Sequence, residues 1–113
     1  MVNKTYVPSR GDIVWINFDP TLGHEQRGRR PALVLSPQKY NKMSVRAICC
    51  PITSKEKGYI FEVTFTGKKI KGAILTDQLQ TLDFHERNME FIEKMPKGSF
   101  DAVDERVSAL LFE

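Results

Sequence analysis

The chain has 113 residues, of which 41% are hydrophobic and 27% are charged. This length and composition are typical of a soluble globular protein, so we expect residues 1–113 to form a single domain. No apolar run approaches the roughly 18 residues of a membrane helix, and the N-terminus lacks the apolar core of a signal peptide. These features exclude a membrane-spanning protein and make the cytoplasm the expected location.

Charge is distributed unevenly, although the net charge is only +3. Residues 1–71 contain 13 lysines and arginines against 5 aspartates and glutamates, whereas residues 72–113 contain 4 against 9. A basic surface suits a polyanion such as nucleic acid, or an acidic protein segment. A merely solvated, polarised surface explains the same pattern, and charge alone does not separate the two interpretations.

Alternating apolar residues and turn signals predict short strands followed by one helix. The predicted strands cover residues 12–19, 32–35, 45–52, 61–66, 72–75 and 89–95. Residues 38–42 fit a single helical turn, and the 61–66 strand should be half exposed, with Glu62 on its polar face. Such strands at close spacing predict a mainly β fold with a C-terminal α-helix, built as a small barrel or strongly bent antiparallel sheet.

The predicted final helix should be capped by Ser99. Its apolar side chains recur at helical spacing: Phe100, Val103, Val107, Leu110 and Leu111. The simplest interpretation of this stripe is packing against the core, and the alternative is a surface that binds a partner.

The two cysteines, Cys49 and Cys50, are adjacent in a predicted strand and should point to opposite faces. They cannot bridge each other without strain, so we interpret them as reduced packing thiols. The two histidines, His24 and His85, are far apart, and there is no Cys-x-x-Cys pattern. The sequence therefore indicates no metal site and no cofactor.

The stretch from Gly23 to Pro31 (GHEQRGRRP) is dense in charge and precedes a predicted buried strand. Charged loops fixed to a buried strand are common places for binding and chemistry. Because proline belongs at the first residue of a strand or on an edge, Pro31 should place Arg30 at the rim of the core.

Polar side chains cluster at the ends of three predicted strands. His24, Glu25 and Arg30 precede the second strand, Thr53 and Lys55 follow the third, and Asp77 and Gln78 follow the fifth. If these ends meet, they form a basic cleft containing both a proton acceptor and a proton donor. Spacing along the chain does not decide whether they meet.

Several segments, in order, resemble the MazF/PemK family of toxins over roughly residues 5–112. The similarity is in residues 19–26 (DPTLGHEQ), 30–37 (RPALVLSP), 40–41 (YN), 51–54 (PITS), 58–63 (GYIFEV) and 77–78 (DQ). The resemblance implies an SH3-like barrel that forms a homodimer and cuts single-stranded RNA. It also implies a small acidic antitoxin as the partner, which the basic half of the chain would suit.

The resemblance further implies a metal-independent reaction in which the ribose 2′-hydroxyl attacks the adjacent phosphate, leaving 2′,3′-cyclic phosphate and 5′-hydroxyl ends. Arg30 and Thr53 match the catalytic arginine and threonine of the family. Glu25 matches a loop glutamate that transfers a proton or contacts a base. The supporting positions are His24, Asp77 and Gln78. Leu75 departs from the plasmid-borne relatives, which place an arginine there, so more of the chemistry would fall on Arg30.

The basic residues nearest these positions are candidate RNA contacts. They are Arg27, Arg29, Lys55 and Lys57. Two other functions remain open at this point. One is a non-enzymatic toxin like the CcdB gyrase poisons, which share this barrel and bind a protein target, although the end of this chain, Leu111-Phe112-Glu113, lacks their tryptophan-glycine-isoleucine terminus. The other is a barrel that binds RNA without cleaving it.

Overall fold

A computed structural model describes residues 6–18 and 28–113. Within them the chain forms seven strands and two helices: β1 (Asp12–Asn17), β2 (Arg29–Val34), α1 (Gln38–Ser44), β3 (Arg46–Thr53), β4 (Glu62–Thr66), β5 (Lys71–Leu75), β6 (Gln80–Asp83), β7 (Glu90–Lys94) and α2 (Lys97–Phe112). The prediction of a mainly β fold with a C-terminal helix is confirmed.

All strand pairs are antiparallel, in the order β4-β5-β3-β2-β1-β7, with β6 also paired to β3. The strand β3 changes partner along its length: Cys49 to Pro51 pair with β2, and Ile52 and Thr53 pair with β5. A sheet whose central strand changes partner is strongly bent. The predicted bent antiparallel sheet is therefore confirmed.

The first and last strands of this order are linked by a carboxylate. Glu93 on β7 accepts hydrogen bonds from the backbone N–H groups of Lys68 (2.9 Å), Lys69 (3.0 Å) and Ile70 (3.1 Å), in the turn between β4 and β5. Desolvation acts to raise the pKa of Glu93, but the three N–H donors outweigh it and lower that pKa below its usual value. This contact curls the sheet around its concave face.

The two faces of the sheet cover two apolar clusters. One contains Ile13, Leu33, Cys50 and Ile74 and is covered by α2, and the other contains Cys49 and neighbours from β1 and β2. Both thiols are free and buried, as predicted. Burial raises the pKa of each to about 12, helped at Cys49 by the adjacent Cys50 and at Cys50 by the charge of Asp77. Both cysteines are packing groups.

Several local predictions are wrong. The strand β2 begins at Arg29, not at residue 32, so Arg30 lies within this strand and does not precede it. The strand β6 was not predicted, because a run of four residues is too short to show periodicity. The strand β3 begins at Arg46, since Val45 adopts a left-handed conformation (φ 59°) that ends α1. The predicted cap Ser99 lies inside α2, which begins at Lys97 after Pro96 and has no side-chain cap.

The apolar stripe of α2 is divided between two environments. Val103 is fully buried, and Phe100 and Val107 pack against the first cluster, as the core interpretation predicted. Leu110 and Leu111, at the end of the helix, are exposed. Among the described residues, no helix is both long and apolar enough to cross a membrane.

Candidate active site

A groove of about 480 Å³ opens where β2 and β3 separate. Its lining, which we call the strand-gap groove, consists of Trp15, Arg29, Arg30, Pro31, Ile52, Thr53, Ser54, Lys55, Ile70 and Lys71. These residues come from β1, β2, the end of β3 and the loop after it, the turn before β5, and the first residue of β5. Of these described lining residues, four are cationic and none is a carboxylate, which gives this part of the groove the electrostatic character of a phosphate site.

The gap has a cause in the sequence. The ladder between β2 and β3 ends at the pair Ala32–Pro51. Pro31 and Pro51, the residues at this point, lack the backbone N–H that a ladder requires. Continuing the same register by two residues would set Arg30 opposite Thr53. The two side chains therefore face the same opening from different strands.

Arg30 is exposed, as expected for a residue at the rim of the core. Unlike that of its neighbour Arg29, the guanidinium of Arg30 has no hydrogen bond or ion pair within residues 6–18 and 28–113. A guanidinium in that state has its donors available for two oxygens of a phosphate. The sequence also allows a purely structural role, in which Arg30 pairs with Glu25 or Asp77 to lock the fold. The structure shows no ion pair between Arg30 and Asp77, and Glu25 lies outside the described residues.

Thr53 is the last residue of β3 and is half buried. Its Oγ1 accepts a hydrogen bond from the backbone N–H of Lys55 (3.0 Å), which fixes the side chain. The hydroxyl proton remains available for donation. Gly72 on the neighbouring strand β5 permits this arrangement, because a Cβ there would lie 2.5 Å from the Thr53 carbonyl oxygen.

Arg29, predicted to contact RNA, has its guanidinium engaged within the protein. It donates to Oδ1 of Asn17 (3.0 Å) and to a carboxylate oxygen of Glu90, with which it forms an ion pair. Since Asn17 lies on β1 and Glu90 on β7, this guanidinium crosses β1 from β2. Arg29 therefore forms part of the wall of the groove. Its role in binding RNA stays a prediction.

A second pocket, of about 320 Å³, adjoins the groove and shares Thr53 and Lys55 with it. The remaining lining residues of this aromatic pocket are Lys57, Tyr59, Phe61, Glu62, Leu75, Asp77 and Gln78. Apolar and aromatic walls with a few polar groups are typical of a site for a small planar ligand. The predicted meeting of the strand ends therefore occurs for the ends of β3 and β5, with the start of β2 on the other side of Thr53.

Glu62 belongs to this pocket and is buried, which contradicts its predicted place on an exposed polar face. Its carboxylate accepts hydrogen bonds from the backbone N–H groups of Lys57 (3.0 Å) and Gly58 (2.9 Å). Gly58 has φ +74°, a conformation that favours glycine. Glu62 thus holds the loop that forms one wall of the aromatic pocket.

Three predicted site residues, His24, Glu25 and Arg27, lie outside the described residues. The sequence analysis did not identify several residues that line the groove or the aromatic pocket, chiefly Trp15, Tyr59 and Lys71. Trp15 offered one signal, because the alternation of β1 puts it on the face opposite Val14. Lys71 offered none, since its neighbours across the groove are remote in sequence.

Within residues 6–18 and 28–113, no cluster of side chains could hold a metal ion. That the reaction needs no metal stays a prediction.

Comparison with known proteins agrees with this architecture. Residues 9–111 match the family of PemK-like, MazF-like toxins of type II toxin–antitoxin systems. The endoribonuclease toxin MazF of Escherichia coli K12 is 46% identical over 87 residues, covering 77% of this chain and 78% of the relative. The endoribonuclease PemK of Escherichia coli is 31% identical over 116 residues, covering 98% and 87%.

Solved structures agree equally well. MazF from Deinococcus radiodurans superposes with a TM-score of 0.84 at 43% identity, covering 96% of this chain and 99% of that one. In its complex with MazE, MazF of the same organism gives a TM-score of 0.83 at 39% identity, covering 94% and 96%. With nearly the whole chain matched by sequence and by fold, the protein belongs to the MazF/PemK family of toxins of type II toxin–antitoxin systems.

Proposed function

We propose that this protein is the toxin of a type II toxin–antitoxin pair and acts as an endoribonuclease on single-stranded RNA, selecting its cleavage sites by sequence. The observation that supports the proposal best is the convergence of Arg30 and Thr53 on one groove that is lined, among the residues the structure describes, by four cations and no carboxylate. The family relatives named endoribonucleases support the same reaction class.

In the proposed reaction the ribose 2′-oxygen attacks the adjacent phosphorus. A proton leaves the 2′-hydroxyl, the O2′–P bond forms, the P–O5′ bond breaks, and the leaving 5′-oxygen takes up a proton. The products are a 2′,3′-cyclic phosphate and a 5′-hydroxyl. The reaction is balanced without a metal or cofactor.

Each side chain has a distinct role in this proposal. The Arg30 guanidinium holds the non-bridging phosphate oxygens, whose negative charge grows in the transition state. The Thr53 hydroxyl donates to the same oxygens from the opposite strand. Glu25 is assigned to proton transfer, with His24 as a supporting group. Lys55 and Lys57, with Arg27, contact flanking phosphates.

The deciding experiment is incubation of the purified protein with a mixed-sequence single-stranded RNA in EDTA, followed by analysis of the product ends. We expect 2′,3′-cyclic phosphate and 5′-hydroxyl ends with the wild-type protein and none with Arg30→Ala. A protein that binds the RNA but leaves it intact would support the non-cleaving barrel instead. Cleavage that stops in EDTA and returns with a divalent metal would contradict the metal-independent reaction.

The proposed partner is a small acidic antitoxin, which would use the same cationic groove.

A homodimer is proposed from the exposed apolar end of α2. Leu111 is 57% exposed there. Ile60, which is 74% exposed, is joined to the same helix because its carbonyl accepts a hydrogen bond from Arg106 (2.7 Å). Burying this patch in a second copy removes it from water. Light scattering should give twice the chain mass, and Leu111→Glu should give the monomer. The cytoplasm is the proposed location.

A further inference from the structure

Trp15 is placed unusually for a tryptophan. It is the single tryptophan of the chain and the only exposed side chain in β1, where every other residue is buried. It is 36% exposed and lines the strand-gap groove together with Arg30 and Lys71. An indole at the wall of a cationic groove calls for an explanation beyond core packing.

Trp15 lies on a central strand with a paired strand on each side. Trp15 is paired with Pro31 on β2 and with Glu90 on β7. The Arg29 guanidinium crosses β1 beside it, joined to Asn17 and Glu90. With nearly two thirds of its surface covered, Trp15 has few rotamers to lose when a ligand arrives.

The chemistry of the groove distinguishes between classes of ligand. A phosphate or an acidic peptide needs the cations of the groove but gains little from an open aromatic face. A nucleotide uses both, because its phosphate binds Arg30 and Lys71 while its base stacks on an aromatic ring. The combination of a fixed indole and cations around one opening therefore favours a nucleotide unit of a single strand.

We propose that Trp15 is a stacking platform for a nucleobase adjacent to the phosphate held by Arg30 and Thr53. This inference rests on the proposed function, because that phosphate is the scissile one. Stacking accepts any base, since each has a flat aromatic face. Trp15 therefore contributes affinity and positions the strand, while the identity of the bases is read elsewhere.

The first test uses the fact that intrinsic tryptophan emission reports on Trp15 alone. The probe is a short, mixed-sequence, single-stranded 2′-O-methyl oligonucleotide, which lacks the attacking hydroxyl and stays intact. We expect saturable quenching of the emission. Polyphosphate, a polyanion without bases, should leave the emission of the free protein nearly unchanged, and it should restore that emission when it displaces the oligonucleotide.

The second test measures affinity by the anisotropy of a labelled oligonucleotide. Trp15→Leu should weaken binding about ten-fold, whereas Trp15→Phe, which keeps an aromatic face, should retain most of the affinity. Tyr40→Leu is the matched control, because Tyr40 is 39% exposed but lies on α1 outside the groove. Thermal unfolding of each variant separates a loss of binding from a loss of fold.

Unchanged emission with an oligonucleotide whose binding depends on Arg30 would overturn the inference and leave the endoribonuclease proposal standing. Equal quenching by polyphosphate would overturn it as well, since charge alone would then explain the signal. Saturable quenching by the oligonucleotide but not by polyphosphate, from a protein that produces no cyclic phosphate ends, would support the stacking platform and refute the nuclease. The two proposals therefore fail in distinguishable ways.

Discussion

The strand-gap groove and the aromatic pocket share Thr53 and Lys55 but differ in everything else that a ligand would contact. Within residues 6–18 and 28–113, the groove contains four cations and no carboxylate, while the pocket combines Tyr59 and Phe61 with the polar groups of Glu62, Asp77 and Gln78. Charge is not selective for sequence, whereas apolar walls and amide groups can distinguish one planar ligand from another. We infer that the groove holds the backbone of the RNA at the point of cleavage and that the pocket reads a base.

The largest effect is expected from Arg30→Ala. Removing the free guanidinium should lower the single-turnover cleavage rate by about 10³-fold, because charge on the phosphate oxygens then lacks its main stabilising group. Arg46→Ala is the control, since Arg46 is also exposed but lies at the opposite end of β3 from Thr53. Equal losses from the two variants would show that overall charge, not position, is responsible.

Thr53→Ala should lower the same rate by about 10²-fold through the loss of one hydrogen-bond donor. Thr53→Ser keeps a hydroxyl and should restore most of the activity. Thr81→Ala, on the exposed side of β6, is the control for loss of a threonine in a strand. If Thr53→Ser were as inactive as Thr53→Ala, the hydroxyl would not be the active group.

Gly72→Ala tests the position of Thr53 without altering its chemistry. The added Cβ would lie 2.5 Å from the Thr53 carbonyl oxygen, so the end of β3 must move. We expect about a ten-fold lower rate from this displacement, with the protein still folded. Gly98→Ala is the matched control, because its Cβ meets nothing within 4 Å. Unchanged cleavage by a folded Gly72→Ala protein would contradict a strict requirement for this geometry.

Gln78→Ala tests the role of the aromatic pocket, which Gln78 lines. If the aromatic pocket reads a base, the variant should change which sites are cut, with the summed rate over a random RNA altered by about ten-fold or less. Sequencing the ends of the products measures this directly. A uniform loss at every site, with no change of preference, would assign Gln78 to the backbone groove instead.

The smallest effect is expected on stability, from Glu93→Gln. The lowered pKa of Glu93 means that its stabilising contribution is complete above the ordinary value of 4.5 and is lost as the pH falls through the lower folded value. The variant should melt a few degrees below the wild type at pH 7, and the difference should shrink in acid. Glu86→Gln, an exposed control, should show neither effect. A difference that persists at low pH would exclude the carboxylate as its source.

The predicted place of Arg30 at the rim of the core is confirmed, because a local pattern coincides there with a structural boundary. Arg30-Pro31 is recognisable in sequence because a residue without an N–H interrupts a ladder, whereas the gap that Pro31 and Pro51 form together is visible only in the structure. Glu62 shows the opposite case, since its alternation with apolar neighbours predicted exposure. Its burial depends on the N–H groups of Lys57 and Gly58, which no periodicity reveals.

Much of the fold class was available from the sequence alone, because alternation and helical spacing depend on residues that are near neighbours in the chain. The ordered segments similar to MazF/PemK toxins indicated the family. The tertiary structure decided which side chains share an opening. It placed Trp15 and Lys71 beside Arg30, tied Arg29 to Glu90, and left Arg30 unpaired among the described residues. These outcomes depend on strands that are remote in the chain and meet only when the sheet bends, so contact between them has no local signature.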